Sequence, residues 1–365
     1  MRVLLIGEYS NVHWTLAEGL RQLGHEVCVV SDGDNWKNYH RDITLKRRSN
    51  GKWDSITYML SIARNLHRMK GFDVVQIINP MFFELKAERM RPFYDYLRRH
   101  NGKMFLCAFG MDYFWVHTCR TTDTFRYSDF NFGNRLRTDD IALREVEDWI
   151  GTAKELLNKY IADDCDGIVT GLYEYDACYR PHYPDKTEFI PFPINTDSVV
   201  RTAPAVTDKV NFFIGIQKVR GIYKGTDVML RALERVAERH RDTCAVVKAE
   251  SVPYPVYCHM MDNSHVLLDQ LYSYTPAMNG LLAMAKGLVL VGGGEEENYR
   301  ILNETELRPI VNVIPNESDV EEKLEHLAAH PEIIGQLSAD SRLYIERHHD
   351  YRKVAQRYVD FWNRR

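Results

Sequence analysis

Short apolar runs alternate along this chain with amphipathic stretches. Val3-Leu4-Leu5-Ile6 leads into the loop Gly7-Glu8-Tyr9-Ser10-Asn11, then into a helical periodicity from Val12 to about Leu23 and a strand over Glu26–Val30. Gly24 stands where a left-handed residue ends a helix. Further strands are predicted at 73–78, 103–109, 167–170 and 188–191, with basic amphipathic helices at about 55–70 and 83–100. The pattern restarts at Val210, with strands at 210–216, 243–248, 265–268, 288–291 and 309–313. Helices are predicted at 225–239, 279–286, 317–329, 331–346 and 350–363, the last carrying Tyr351, Val354, Tyr358 and Phe361 at helical spacing. Such alternation predicts an α/β protein of doubly wound parallel sheets. Residues 115–137 are polar, aromatic and poorly periodic, and read as a long loop or insertion near a site.

A chain of 365 residues is too long for one ordinary core. Pro191, Pro193 and the aperiodic run Arg201–Asp208 place a boundary near residue 200. The expected organisation is two Rossmann-like domains, 1–200 and 201–345, with a helix over 346–365 packing back on the first. No apolar run approaches the roughly 18 residues that span a bilayer. Met1 leads straight into a strand without a signal-peptide cleavage pattern, and the seven cysteines show no C-x-x-C spacing. Both point to a cytoplasmic protein with reduced thiols. The formal net charge of −4 conceals an asymmetry: residues 36–100 hold 14 Lys and Arg against 6 Asp and Glu, a local +8 that leaves −12 elsewhere. That excess suits a solvated face or peripheral contact with anionic lipid or a phosphorylated acceptor. Nucleic acid is excluded as a partner, since no reading helix or RNA-binding aromatic motif is present.

The most informative stretch is 271–304, LYSYTPAMNGLLAMAKGLVLVGGGEEENYRILNE. It reads as a loop, a small-residue helix capped by Gly287, a buried strand, and the turn Gly292-Gly293-Gly294 beside Glu295, Glu296 and Glu297. This places a helix N-terminus and an acidic loop at the carboxyl edge of a sheet, where open α/β sheets bind ligands. Glycine at 292–294 is expected to let a ligand approach the backbone.

Four segments resemble the retaining glycosyltransferases called group 1 or family 4, of GT-B fold. They are Gly215–Leu233 with Lys218, Arg220 and Lys224-Gly225; Leu282-Ala-Met-Ala-Lys-Gly-Leu-Val-Leu-Val-Gly292; Phe189-Ile-Pro-Phe-Pro-Ile-Asn-Thr-Asp197; and Leu20-Arg-Gln-Leu-Gly-His-Glu-Val27. The resemblance implies transfer of a sugar from a nucleotide-sugar donor to a hydroxyl acceptor, a glycan or lipid-linked glycan, in bacterial surface glycan assembly. The nucleotide-sugar is then a substrate, and no cofactor or metal is expected. Asp32-Gly-Asp34 has a D-x-D form but reads as a turn. The family's paired glutamates would fall on Tyr274 and Leu282, neither acidic, with Asp269-Gln270 and Glu295–Glu297 as candidate replacements.

A departing diphosphate needs either a metal or cations and helix N-termini, and the sequence shows no convincing metal box. Lys218, Arg220 and Lys224, with the amides of Gly280, Leu281 and Leu282, are the candidates. Tyr254, Asp269, Tyr274, Glu295 and Glu297 are candidates for the donor sugar and nucleoside. Asp112 and His13 are candidate catalytic groups, and Gly7, Asn11, Asn79 and Gly110 line the acceptor side. Two other readings share the fold: a nucleotide-sugar epimerase, and a catalytically silent binding or partner subunit. A nicotinamide-dependent dehydrogenase is disfavoured, because Gly7-Glu-Tyr-Ser-Asn-Val-His lacks the G-x-G-x-x-G spacing.

Overall fold

The computed structural model describes residues 1–49, 51–216 and 221–365. They form two compact units, one of Met1–Thr121, Leu143–Pro193 and Tyr351–Arg365, the other of Thr122–Ala142 and Ile194–Asp350. In the first unit the strands are β1 (Arg2–Ile6), β2 (Glu26–Ser31), β3 (Ile43–Thr44), β4 (Val74–Ile77) and β5 (Lys103–Ala108). After the short pair β6 (Asn131–Phe132) and β7 (Arg135–Leu136), which lies in the second unit, come β8 (Gly167–Thr170) and β9 (Thr187–Phe189). The first unit's strands pair in parallel in the order β3-β2-β1-β4-β5-β8-β9. Val3 to Ile6 and Met104 to Ala108 are wholly buried, which is why these strands read as unbroken apolar runs: helices cover both faces of such a sheet.

Helix Val12–Gln22 packs against the terminal helix Tyr351–Arg364. Gly19 makes the crossing possible, since a Cβ there would collide with the Tyr351 carbonyl and come within 2.9 Å of Ala355 Cβ. The terminal helix buries Val354, Tyr358, Phe361 and Trp362 in the same unit, and Lys103 donates to the Trp362 carbonyl at 2.8 Å.

The second unit's main sheet comprises β10 (Val210–Ile216), β11 (Cys244–Glu250), β12 (Val266–Leu268), β13 (Val289–Gly292) and β14 (Val311–Asn312). These are parallel in the order β11-β10-β12-β13-β14. Helices Thr226–Arg239 and Glu317–Ala329 seat Met229, Leu233, Val320 and Leu324 in its core. Along their exposed edges Arg231, Arg235 and Arg239 pair with Glu317, Glu321 and Glu325 at one-turn intervals. The linker belongs to this unit because Arg342 donates to the carbonyls of Thr196, Val199 and Ala285.

Gly19→Ala is expected to destabilise the protein by about 1–3 kcal/mol, the usual cost of overpacking a backbone contact. Urea unfolding reads this directly. An unchanged midpoint would mean that the two helices separate freely at that point.

Candidate functional site

The segment 115–137 is a helix end followed by a hairpin, where the sequence suggested a loop. Helix Tyr113–Thr121 stays in the first unit, and Thr122–Ala142 folds onto the second around β6 and β7. A two-residue connection, Gly133-Asn134, joins the strands, with Gly133 at φ +54°. Asn131, fully buried, ties the hairpin together by donating to the carbonyls of Phe125 and Gly133.

This hairpin docks on loops at the carboxyl ends of β12 and β13 and on the turn before Thr226. The Tyr274 hydroxyl accepts the amide of Arg126 at 2.7 Å, and its ring stacks on Tyr127 at 4.8 Å. Tyr127 donates its hydroxyl to Glu295 at 2.6 Å. The Arg126 guanidinium reaches Glu295 at 2.9 Å and Glu297 at 2.6 Å, although 55 % of its side chain is exposed. Tyr223 donates to Asp129 at 2.5 Å, and the Arg137 guanidinium lies 4.6 Å from the Tyr272 ring centre. Glu295, Glu297 and Tyr274 therefore meet at one place, and the hairpin is what they hold. Arg126 keeps the Glu297 carboxylate below its ordinary range.

Lys224 ends the short helix Gly221–Lys224, and its carbonyl accepts the amide of Leu271 at 3.0 Å. Gly225 follows at φ +72° and starts helix Thr226–Arg239. Lys218 and Arg220 lie outside the described residues. Helix Met278–Ala285 begins two residues earlier than Gly280, so its open amides are those of Met278, Asn279 and Gly280. Leu281 is a correction: its amide is already spent on the Ala277 carbonyl at 3.0 Å, and Leu282 lies further inside the helix. The N-cap residue Ala277 has no side-chain acceptor of its own for these amides. Asp269, nearly buried, accepts from the Asn279 side chain at 3.0 Å, and Asn279 accepts from Tyr257 at 3.0 Å. This relay pins the first helical turn. Tyr254 opens the neighbouring helix Tyr254–Asp262 and is half-buried. Gly293 is glycine for an internal reason, because a Cβ would strike the backbone of Ser273; at Gly294 it would strike the Ile310 side chain.

In the first unit Gly7, Asn79 and Gly110 gather at the carboxyl ends of β1, β4 and β5. Asn79 donates to the carbonyls of Phe109 at 2.9 Å and Met111 at 3.1 Å, joining two loops. Gly110, at φ +82°, donates to the Tyr175 hydroxyl and leaves a Cβ position 3.3 Å from the Tyr9 ring. Asn11 sits at φ +70° and donates to Thr15 Oγ1. Asp112 is fully buried; it accepts from the Trp115 amide at 2.9 Å and the Tyr179 hydroxyl at 2.6 Å, and burial raises its pKa to about 6. His13 is also fully buried. Its Nδ1 donates to the Gly7 carbonyl at 2.8 Å, so Nε2 is the acceptor for Gln76, and burial lowers its pKa to about 4. Asp32 accepts from the amides of Asp34 and Asn35, closing a turn, and Asp34 pairs with Lys37 at 2.6 Å.

Beside these loops lies a cavity of about 240 Å³ lined by Tyr9, Asp32, Tyr58, Phe82, Glu84 and Glu8 among others. Sequence reading missed Glu8, whose carboxylate accepts from the amides of Trp14 at 2.9 Å and His13 at 3.3 Å. It thereby occupies the N-terminus of helix Val12–Gln22. Burial, the largest effect, pushes its pKa up to about 8.

The folded chain holds the Glu8 proton more tightly than the unfolded chain. That contribution is full in acid and is lost as pH rises from the ordinary 4.5 towards about 8. In urea unfolding across that range, the wild type should lose stability relative to Glu8→Gln; parallel curves would contradict the raised pKa. Tyr274→Phe should cost about 1–3 kcal/mol by stranding the Arg126 amide, and should expose the hairpin to limited trypsin cleavage. An uncleaved hairpin would show that its other contacts suffice.

Solved structures share this architecture over the whole chain. Sucrose-phosphate synthase from Thermosynechococcus elongatus is 11 % identical with a TM-score of 0.64, covering 100 % of this chain and 98 % of that one. Alr3699/HepE of Anabaena, in complex with UDP and glucose, is 8 % identical with a TM-score of 0.61 and complete coverage of both chains. WaaG, a glycosyltransferase involved in lipopolysaccharide biosynthesis, is 14 % identical with a TM-score of 0.53, covering 99 % of each. No family model matches the sequence, and no curated protein matches it. Taken with the two doubly wound parallel sheets, this likeness shows that the chain has the GT-B fold of two Rossmann-like units.

Proposed function

We propose that the protein is a glycosyltransferase, moving a sugar from a nucleotide-sugar donor to a hydroxyl of a glycan or lipid-linked glycan at the cytoplasmic face of a membrane, in surface glycan assembly. The observation that carries this reading is the full-length likeness to a structure holding UDP and glucose. The residues of the second unit support it. Negative charge grows on the leaving diphosphate as the glycosidic bond breaks, and groups already aimed at it lower the barrier. Lys224 and the first-turn amides of Met278, Asn279 and Gly280 are assigned to supply that positive potential at the carboxyl edge of the sheet. Lys218 and Arg220 belong to the same run of sequence. With this charge carried by side chains and backbone, the transfer is proposed to need no metal, and by family resemblance to retain anomeric configuration.

Tyr254 is placed on the nucleoside side. Asp269 acts through Asn279, positioning the helix tip. Glu295 and Glu297 are assigned to the hairpin, and Tyr274 to docking it, so Arg126 and Tyr127 become part of the donor-side wall. On the acceptor side, Gly7, Asn11, Asn79 and Gly110 shape the loops beside the aromatic and acidic cavity. Asp112 and His13, with their polar atoms engaged, position the turns at Gly110 and Gly7 rather than transfer protons.

A second reading is a silent binding subunit. It is favoured by the absence of carboxylates at Tyr274 and Leu282 and by the engagement of Glu295 and Glu297 with Arg126. Calorimetric titration with UDP and GDP, followed by transfer assays with the matching sugar nucleotides, separates the two. Binding with hydrolysis or transfer supports the enzyme, and no nucleotide binding at all defeats it and favours the silent subunit. Within the first reading, Lys224→Ala should lower kcat/KM by roughly 2–4 kcal/mol of transition-state stabilisation. An unchanged value would remove Lys224 from the site.

A further inference from the structure

Helix Lys52–Asn65 has two unlike faces. Tyr58 and Ile62 point inward and are buried, and Tyr58 lines the cavity of the first unit and accepts the Glu84 amide at 3.2 Å. On the opposite side Trp53, Ile56 and Leu60 fall in one stripe at i, i+3 and i+7, exposed by 80 %, 46 % and 50 %. Trp53 is the most exposed large apolar side chain among the described residues. A soluble protein seldom leaves such a stripe bare unless something covers it.

The surrounding charge indicates what covers it. Residues 46–70 contain 7 Lys and Arg against a single acid, Asp54. Lys46, Arg48, Lys52, Arg64, Arg68 and Lys70 are all exposed. An apolar stripe rimmed by cations, with a tryptophan in the first turn, matches the interface of an anionic bilayer. Three side chains are too small a patch for a standard protein interface, which needs about 800 Å² on each partner. Among the described residues no helix is long and apolar enough to cross a membrane, so contact would be peripheral.

We propose that helix Lys52–Asn65 lies on the surface of a membrane rich in anionic phospholipid, with Trp53, Ile56 and Leu60 entering the headgroup boundary. Its inner face meanwhile walls the acceptor-side cavity, so one helix joins a lipid surface to the place where a lipid-linked acceptor presents its glycan. The purpose rests on the proposed glycosyl transfer; the membrane contact does not.

The test is sedimentation of the full chain with vesicles of phosphatidylcholine, alone or mixed with phosphatidylglycerol, at low and high salt. Binding should be at least about tenfold stronger with phosphatidylglycerol and should weaken as salt screens the rim. Trp53→Ser with Leu60→Ser should reduce vesicle binding by about tenfold or more, with thermal melting and UDP titration unchanged. Equal binding by wild type and variant, or none to either vesicle, would overturn the proposal. So would concentration-dependent self-association, seen by light scattering and abolished by Leu60→Ser, since a second protein would then be the occupant. UDP titration is run in parallel: vesicle binding without UDP binding would sink the glycosyltransferase reading alone, and the reverse would sink the membrane surface alone.

Discussion

The N-terminus of a helix attracts anions through its open amides, unless another group already occupies them. The two units differ on this point, and much follows from the difference. In the first, the Glu8 carboxyl group accepts from the amides of His13 and Trp14, so these two donors of the helix after β1 are already engaged. In the second, helix Met278–Ala285 starts from Ala277, which has no side-chain acceptor, and Asp269 accepts from the Asn279 side chain. Two sheets of the same design are thereby given different chemistry. The proposed diphosphate site falls at the second, and the proposed acceptor side at the first, beside a cavity lined by acidic and aromatic side chains.

The hairpin Thr122–Ala142 completes the second unit with chain drawn from the middle of the first. Its anchor is Tyr274, whose hydroxyl takes a backbone amide and whose ring is stacked from above. This gives a physical account of the tyrosine at position 274. The acidic trio after β13 is put to the same use, its charge met by Arg126.

Most strands and helices were legible in the sequence because parallel strands buried on both faces leave unbroken apolar runs, as at Val3–Ile6 and Val289–Val291. The hairpin was not, because Asn131 and Arg137 break alternation by turning polar groups inward to carbonyls and aromatic rings. The Gly133-Asn134 pair was its one available signal. Around the candidate site, the helix after Lys224-Gly225 and the helix near Gly280 were legible as elements. Glu8 and the Asp269–Asn279–Tyr257 relay were not, since capping by a residue upstream of the helix and side-chain relays leave no periodic trace. Gly293 shows the opposite error: a glycine read as space for a ligand is required by the chain's own Ser273.

Hydrogen–deuterium exchange of the full chain, with and without UDP, tests the central claim most directly. The account predicts new protection at 221–226, 271–282 and 292–298, with the loop at 7–14 unchanged. Protection confined to 7–14, or none in the second unit at saturating UDP, would contradict it.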